Sequence, residues 1–156
     1  MEKASREKVT IELMKPEDLD QVMEVEKLSF TNPWSRNSFF LELTTNELAT
    51  YIVARVDGKV VGYAGMWLIV GEAHVTNVAV HPEFRKKGIG ELLMRSLMTL
   101  AREGGAKMMT LEVRKSNYVA QNLYTKLGFE PIGIRRGYYT DNKEDAVIMW
   151  TNLNEK

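Results

Sequence analysis

The sequence has no cysteine. That excludes a disulfide scaffold, a thiolate nucleophile and a cysteine-based zinc site. It has two histidines, His74 and His81, too few for a His-rich metal centre, and no metal is expected. Charge of one sign is not in excess either: 21 Lys and Arg balance 21 Asp and Glu. Broad nucleic-acid binding draws on a positive surplus, so no nucleic-acid partner is expected. Long hydrophobic runs are missing as well. The most apolar stretch, Val60–Val70, is interrupted by Gly62 and Gly65, and it falls short of the roughly 20 residues that span a bilayer. The charged start, Met1 to Lys8, has no apolar core and does not resemble a signal peptide. No membrane partner is expected, and a soluble, cytoplasmic protein is the default reading. Repeats, low-complexity tracts and linkers are absent too.

What is present suffices for one globule. The chain has 156 residues, 44% hydrophobic and 27% charged. A chain of this length buries about two-thirds of the surface it exposes when unfolded. Val9 to Met14 alternates apolar and polar residues and predicts a strand. Pro16, with Glu17 and Asp18 behind it, marks a helix start, and Leu19, Val22 and Met23 give that helix an apolar face. Ser35 is a candidate N-cap for a short helix holding Phe39, Phe40 and Leu43. Asp57-Gly58 between Tyr51–Val56 and Lys59–Val70 is a hairpin signal. Ala73 to Val80 adds a further strand. Gly88 to Arg102 predicts an amphipathic helix with Ile89, Leu92, Leu93, Leu97 and Leu100 on one side, stopped by Gly104-Gly105. Lys107 to Val113 follows as a strand. A helix capped by Ser116 or Asn117 then runs to about Leu127 and stops at Gly128. Phe129 to Ile134 and Ala146 to Trp150 are the last strands. The fold class is α/β (α+β): one mixed, mostly antiparallel central sheet flanked by helices.

Arg85-Lys86-Lys87-Gly88-Ile89-Gly90 lies between a strand and an amphipathic helix. A helix start offers unpaired N–H groups and a positive dipole end, glycine permits close backbone approach, and the three basic residues add charge. Together these suit a phosphate or pyrophosphate. A Walker loop is excluded, because Gly90 is followed by Glu91 and Leu92. A dinucleotide fingerprint is excluded as well, because Leu93 stands where its third glycine belongs. The plainer alternative is a basic loop with a helix-starting glycine pair.

Glu112 lies inside the apolar strand Leu111-Glu112-Val113, on the face opposite its two neighbours. A carboxylate there is costly unless it is hydrogen-bonded or used. Tyr124 follows Asn117 by seven residues, so both fit one helix side. A strand carboxylate and a helix phenol near a phosphate loop would make an acid–base pair. The structural alternative pairs Glu112 with Arg114 or Lys115 and buries Tyr124 as a core aromatic. Trp34, Tyr138 and Tyr139 are either groove-lining aromatics or packing anchors. His74 and His81 read as structural or exposed, and Met94 and Met98 as packing.

Arg85-x-x-Gly88-x-Gly90, Glu112-Val113-Arg114, Ser116-Asn117 and Leu123-Tyr124-x-x-Leu127-Gly128-Phe129 occur in that order and resemble the GNAT acetyltransferase superfamily. Pro33-Trp34-Ser35, Arg135-Arg136-Gly137-Tyr138-Tyr139 and Glu144-Asp145-Ala146 narrow the resemblance to its RimI-like group, the ribosomal-protein-alanine N-acetyltransferases. The resemblance implies one acetyltransferase domain over residues 9–153, with residues 1–8 an extra disordered segment. It implies acetyl-CoA as cosubstrate and the α-amine of an N-terminal alanine, on a small-subunit ribosomal protein, as acceptor. Val78, Ala79 and Val80 would hold the pantetheine arm and acetyl group. Arg85, Lys86, Lys87, Gly88, Ile89, Gly90 and Glu91 would take the pyrophosphate, and Asn117 would touch the CoA arm. Glu112 matches the general base and Tyr124 the general acid, while Trp34, Tyr138 and Tyr139 would line the acceptor groove. Two other functions fit the same residues: acetylation of a small amine or lysine side chain, and a CoA-binding sensor without turnover.

Overall fold

The computed structural model describes residues 8–153; most of the expected N-terminal segment, residues 1–7, lies outside them. Seven strands form one sheet in the order β1-β2-β3-β4-β5-β7-β6. The strands are β1 (Val9–Leu13), β2 (Ala49–Val56), β3 (Lys59–Ile69), β4 (Glu72–Val80), β5 (Met108–Arg114), β6 (Glu130–Tyr139) and β7 (Glu144–Asn152). The helices are α1 (Leu19–Ser29), α2 (Arg36–Thr44), α3 (Ile89–Glu103) and α4 (Tyr118–Lys126). None is long and apolar enough, among the described residues, to cross a membrane. β1 with β2, β5 with β7 and β6 with β7 pair antiparallel, whereas β4 and β5 pair parallel. The mostly antiparallel mixed sheet is the one expected.

By backbone contact the chain forms two compact units. One runs up to Met66 and takes in Asn77–Leu97; the other holds Trp67–Thr76 and the chain from Met98 onward. In the first, Pro16 opens a 3-10 turn that leads into α1. Leu19, Val22 and Val25 of α1 bury against Phe39, Tyr51, Val53 and Tyr63. Phe39 meets the rings of Tyr51 and Tyr63 edge-on, at 6.2 and 5.6 Å between centroids, an arrangement that adds attraction beyond burial. Ser35 caps α2, its Oγ accepting from the Ser38 N–H at 3.0 Å. Asp57 and Gly58 both take positive φ, 53° and 79°, as a two-residue hairpin turn demands. The alternation expected of β1 breaks at its end. Leu13 is exposed and Met14 is buried, because Met14 has left the strand and donates its N–H to the Tyr51 carbonyl.

In the second unit, Met109, Leu111 and Val113 form the buried face of β5. Leu111 and Val113 are set in antiparallel register against Met149 and Val147 of β7. Gly105 closes α3 in the left-handed region at φ 91°, and Ala106 donates back to the Ala101 carbonyl. This is the reverse turn glycine permits at a helix end. The face of α3 differs from expectation. Leu93, Met94, Leu97, Met98 and Ala101 are buried, while Leu92 is exposed. At 3.6 residues per turn the methionines complete the stripe that Leu92 and Leu100 seemed to extend. β6 and β7 are longer than their apolar cores suggest. The pair bulges between Arg135 and Tyr139, where Gly137 takes φ 61° and donates to Asp145 Oδ1 at 2.8 Å.

Candidate active site

The basic loop of the first unit joins β4 to α3. Lys86 and Gly88 stand in the left-handed region, φ 65° and 82°, on either side of Lys87. Gly88 opens α3, its carbonyl accepting the Leu92 N–H at 3.0 Å. No atom lies within 4 Å of where a Gly88 Cβ would stand. Arg85 is partly committed to the loop itself, donating from Nε to the Val80 carbonyl at 2.8 Å and from Nη2 to Ser29 Oγ at 3.3 Å. Lys87 sits over the Phe84 ring at 5.6 Å. Glu91 pairs along the helix with Arg95, and Ile89 is buried, so it offers backbone only. Val78, Ala79 and Val80 end β4, with the Ala79 side chain buried.

Trp34 belongs to the same unit and serves two purposes. Its indole packs on Phe39 at 5.1 Å between centroids. It also edges an open depression of about 740 Å³ that Asp20, Glu24, Lys27 and Arg36 line with both charges. Its backbone is fixed by a residue that sequence reasoning missed. Glu26, 2% exposed, accepts the Trp34 N–H at 2.7 Å and the Tyr63 hydroxyl. Burial pushes this carboxyl up from 4.5 to about 7, against the lowering by the Trp34 N–H. A signal existed: Glu26 follows Leu19 by seven and Val22 by four, squarely on the apolar stripe of α1.

Glu112, in the second unit, projects from β5 on the face opposite Leu111 and Val113, and its side chain is 9% exposed. Its partners are neither Arg114 nor Lys115. Oε1 lies 3.2 Å from His74 Nε2 and Oε2 lies 3.2 Å from Arg135 Nε. Burial raises this carboxyl, yet hydrogen bonds and charge from His74 and then Arg135 bring it below the ordinary carboxylate range. It is therefore an anion at neutral pH. Arg114 serves another cluster, bridging Asp141 and Glu144 and lying 4.0 Å over the Tyr139 ring. His74 is half-buried, paired with Glu112 and bound through Nδ1 to Thr110 Oγ1 at 3.1 Å, contacts that fit its structural reading. The register decides this, because His74 lies opposite Thr110, two residues before Glu112 on the same face. His81 is buried, and its Nδ1 accepts the Glu83 N–H.

Asn117 caps α4, its Oδ1 accepting from Ala120 N–H at 3.1 Å. Tyr124 lies on the buried side of α4, its ring 5.8 Å from Phe129. Burial pushes its phenol up to about 12, so it stays protonated. Tyr138 and Tyr139 stack edge to face at 5.0 Å. Tyr138 is exposed beside Arg135, and Tyr139 is pushed up to about 12, chiefly by burial. Tyr138 and Tyr139 both feel the charge of Glu112, and Tyr139 also feels Tyr124. The structure thus gathers Glu112, Tyr138, Tyr139 and Tyr124 in one unit, with His74 and Arg135 added.

Comparison with known proteins accords with this geometry. The model of the acetyltransferase (GNAT) family matches residues 19–129. A Bacillus subtilis (strain 168) protein, provisionally named a ribosomal protein bS18-alanine N-acetyltransferase, is 48% identical over 95% of this chain and 98% of its own length. An N-alpha-acetyltransferase of Sulfurisphaera tokodaii is 36% identical over 85% of this chain and 86% of its own. The crystal structure of the Escherichia coli ribosomal-protein-S18-alanine N-acetyltransferase superposes with a TM-score of 0.87, at 32% identity over 96% of both chains.

Proposed function

The chain belongs to the acetyltransferase (GNAT) family, and from that premise we propose that it acetylates the α-amine of an N-terminal alanine. The acceptor we propose is the small-subunit ribosomal protein that the Bacillus and Escherichia relatives are named for. The site of action we propose is the cytoplasm, with residues 9–153 working as one domain. The observation that carries the reading is Glu112, a nearly buried carboxylate held ionised on a strand face beside exposed Tyr138.

Acetyl-CoA would be the donor. Its pyrophosphate suits the loop from Arg85 to Glu91, where a turn through the left-handed region at Lys86 and Gly88 carries three basic side chains to the start of α3. Val78, Ala79 and Val80 would pair with the pantetheine arm, and Asn117, whose Oδ1 is taken by the cap, would meet the same arm through Nδ2. An acceptor α-amine has a pKa of roughly 7.7–8 and a lysine about 10.4. At pH 7 about a tenth of α-amines are neutral, against less than about a thousandth of lysines. A carboxylate held below its usual range is a weak base, and it suits the less demanding α-ammonium.

The neutral nitrogen attacks the thioester carbonyl, a C–N bond forms, and a backbone N–H near Val78 steadies the oxyanion. The C–S bond then breaks. A thiol titrates near 8.5 and Tyr124 near 12, so outright transfer from the phenol to the thiolate is uphill. Tyr124 instead passes a proton to sulfur as it takes the second proton from the cationic nitrogen of the intermediate. No covalent enzyme intermediate is needed.

The test is CoA release with an alanine-starting peptide and with the same peptide blocked at its N-terminus. The reading expects turnover on the free peptide alone. It expects Glu112→Gln to lose about 10²–10⁴-fold in rate at pH 7, a defect that narrows as pH rises through the α-amine range. Full activity on the blocked peptide would overturn it in favour of a side-chain amine. Acetyl-CoA binding with no peptide turnover would leave a sensor.

A further inference from the structure

We propose that Arg114 is a positioning residue of the acceptor site: its guanidinium fixes the ring of Tyr139 where the peptide enters. The proposal rests on the reading of Tyr139 as a groove-lining aromatic. It starts from a gap in the sheet. Tyr139 ends β6, and the β6–β7 pairing shifts register between Arg135 and Tyr139. A bulge of this kind bends its strand and leaves part of the ladder unformed. Pairing resumes only at Tyr139 with Glu144, the last pair before the turn. The turn itself, residues 140–143, closes at Lys143 in the left-handed region, φ 62°. Backbone pairing therefore specifies this end of the hairpin weakly, and side chains must hold it.

The side chain that holds it comes from another strand. Arg114 ends β5, two residues after Glu112 and on the same face. Its guanidinium carbon lies 4.0 Å from the centre of the Tyr139 ring, within the range at which a cation is attracted to an aromatic face. The turn pins the guanidinium in its place. Nη2 donates to both Asp141 oxygens, at 3.0 and 2.9 Å. Nη1 donates to Glu144 Oε1 at 3.2 Å and to Asn142 Oδ1 at 3.1 Å. A guanidinium gripped by carboxylates in this way is fixed in direction as well as position. Glu144 is held in turn, its Oε2 accepting the Ser116 N–H at 2.7 Å. Contacts thus run from Ser116 through Glu144 and Arg114 to the Tyr139 ring. They tie that ring to the segment that leads into α4, the helix of Tyr124.

The position so fixed is a useful one. Tyr139 feels the charge of Glu112 and of Tyr124, so its phenol stands near the groups read as base and acid. The phenol stays protonated, and its hydroxyl can donate to a peptide carbonyl or accept from a peptide N–H. A displaced ring would leave Glu112 and Tyr124 intact while weakening the hold on the peptide. Bracing the hairpin needs only the bonds to Asp141, Asn142 and Glu144. The stack on Tyr139 is the part of the Arg114 contacts that reaches the acceptor.

Arg114→Lys tests this, because the ammonium keeps the charge but lacks the plane and the paired donors. With an alanine-starting peptide, the peptide KM should rise about tenfold, the scale of one lost hydrogen bond. The kcat and the acetyl-CoA affinity should stay within about twofold, since the lost contact holds the peptide equally before and during reaction. Tyr139→Phe removes only the hydroxyl and should raise KM by a similar factor. The two together should exceed the larger single effect by no more than about twofold, because Arg114 acts through that hydroxyl. Independent roles would multiply to about a hundredfold. That multiplication, or an unchanged KM in Arg114→Lys beside a lowered melting temperature, overturns the proposal and leaves Arg114 a brace of the hairpin. Should Arg114→Lys not fold, Asp141→Asn loosens the same guanidinium with little change of shape. It should raise KM several-fold and add nothing to Tyr139→Phe, and the same two failures would overturn the proposal. Tyr139→Phe alone separates the two claims. If it raises KM and Arg114→Lys does not, the positioning role fails and the groove reading stands. If it leaves KM like wild type, the groove reading of Tyr139 fails, and the positioning role with it.

Discussion

Replacing Glu26 by glutamine should remove a pH dependence of stability that the fold builds into α1. The wild-type carboxyl is 2% exposed, and burial lifts it from 4.5 to about 7. Between those values the folded protein holds a proton that the unfolded chain has released. Stability therefore falls as pH rises from about 4.5 through about 7, and is flat on either side. At about 1.4 kcal/mol for each pH unit, the whole span is worth roughly 3–3.5 kcal/mol. Glutamine can still accept from the Trp34 N–H and meet the Tyr63 hydroxyl, but it does not titrate. The assay is urea denaturation of both proteins from pH 4.5 to 8. Other titrating groups are shared and cancel in the difference. Relative to Glu26→Gln, wild type should lose roughly 3 kcal/mol across the range, or about 6–12 °C in melting temperature for a chain of this size. Parallel curves would refute the reasoning and mean that Glu26 is solvated in solution.

Gly88→Val should weaken acetyl-CoA binding about tenfold by calorimetry. A φ of 82° costs an L-residue about 1–2 kcal/mol, more for a β-branched one, and the new side chain would enter the space open to the phosphates. Unchanged affinity in a folded variant would move the pyrophosphate elsewhere. Tyr124→Phe should lower turnover by about 10²-fold or more while acetyl-CoA affinity stays within about twofold. Turnover near that of wild type would return Tyr124 to a packing role. Gly65→Ala should cost about 1–3 kcal/mol in thermal unfolding by overpacking, because its Cβ would stand 2.1–2.5 Å from the Tyr51 ring. A neutral result would show that the ring can swing aside.

Local chemistry was legible in the sequence because its causes are local. Asp57-Gly58 made the hairpin turn, Ser35 and Asn117 the caps, and Gly105 and Gly128 the helix ends. Each depends on the conformation of a few adjacent residues. The face of Glu112 was legible too, since strand alternation needs no partner. Its ionic partners were not. His74 and Arg135 stand 38 and 23 residues away in the chain, and only the β4–β5 and β5–β7–β6 registers bring them to Glu112. A shift of one residue in either register would turn them to the other side of the sheet. Sequence proximity favoured Arg114 and Lys115 instead, yet Arg114 is held by Asp141 and Glu144 of the β6–β7 hairpin. The length of that hairpin was hidden as well, because its bulge and its charged end carry little apolar pattern.

The central claim is the identity of the amine. A peptide with a free N-terminal alanine and one internal lysine, incubated with the protein and acetyl-CoA, puts the two acceptors in direct competition. Tandem mass spectrometry then locates the added acetyl group. The account predicts that it sits on the alanine α-amine, with the lysine untouched. Acetyl on the lysine, with the α-amine free, would contradict it.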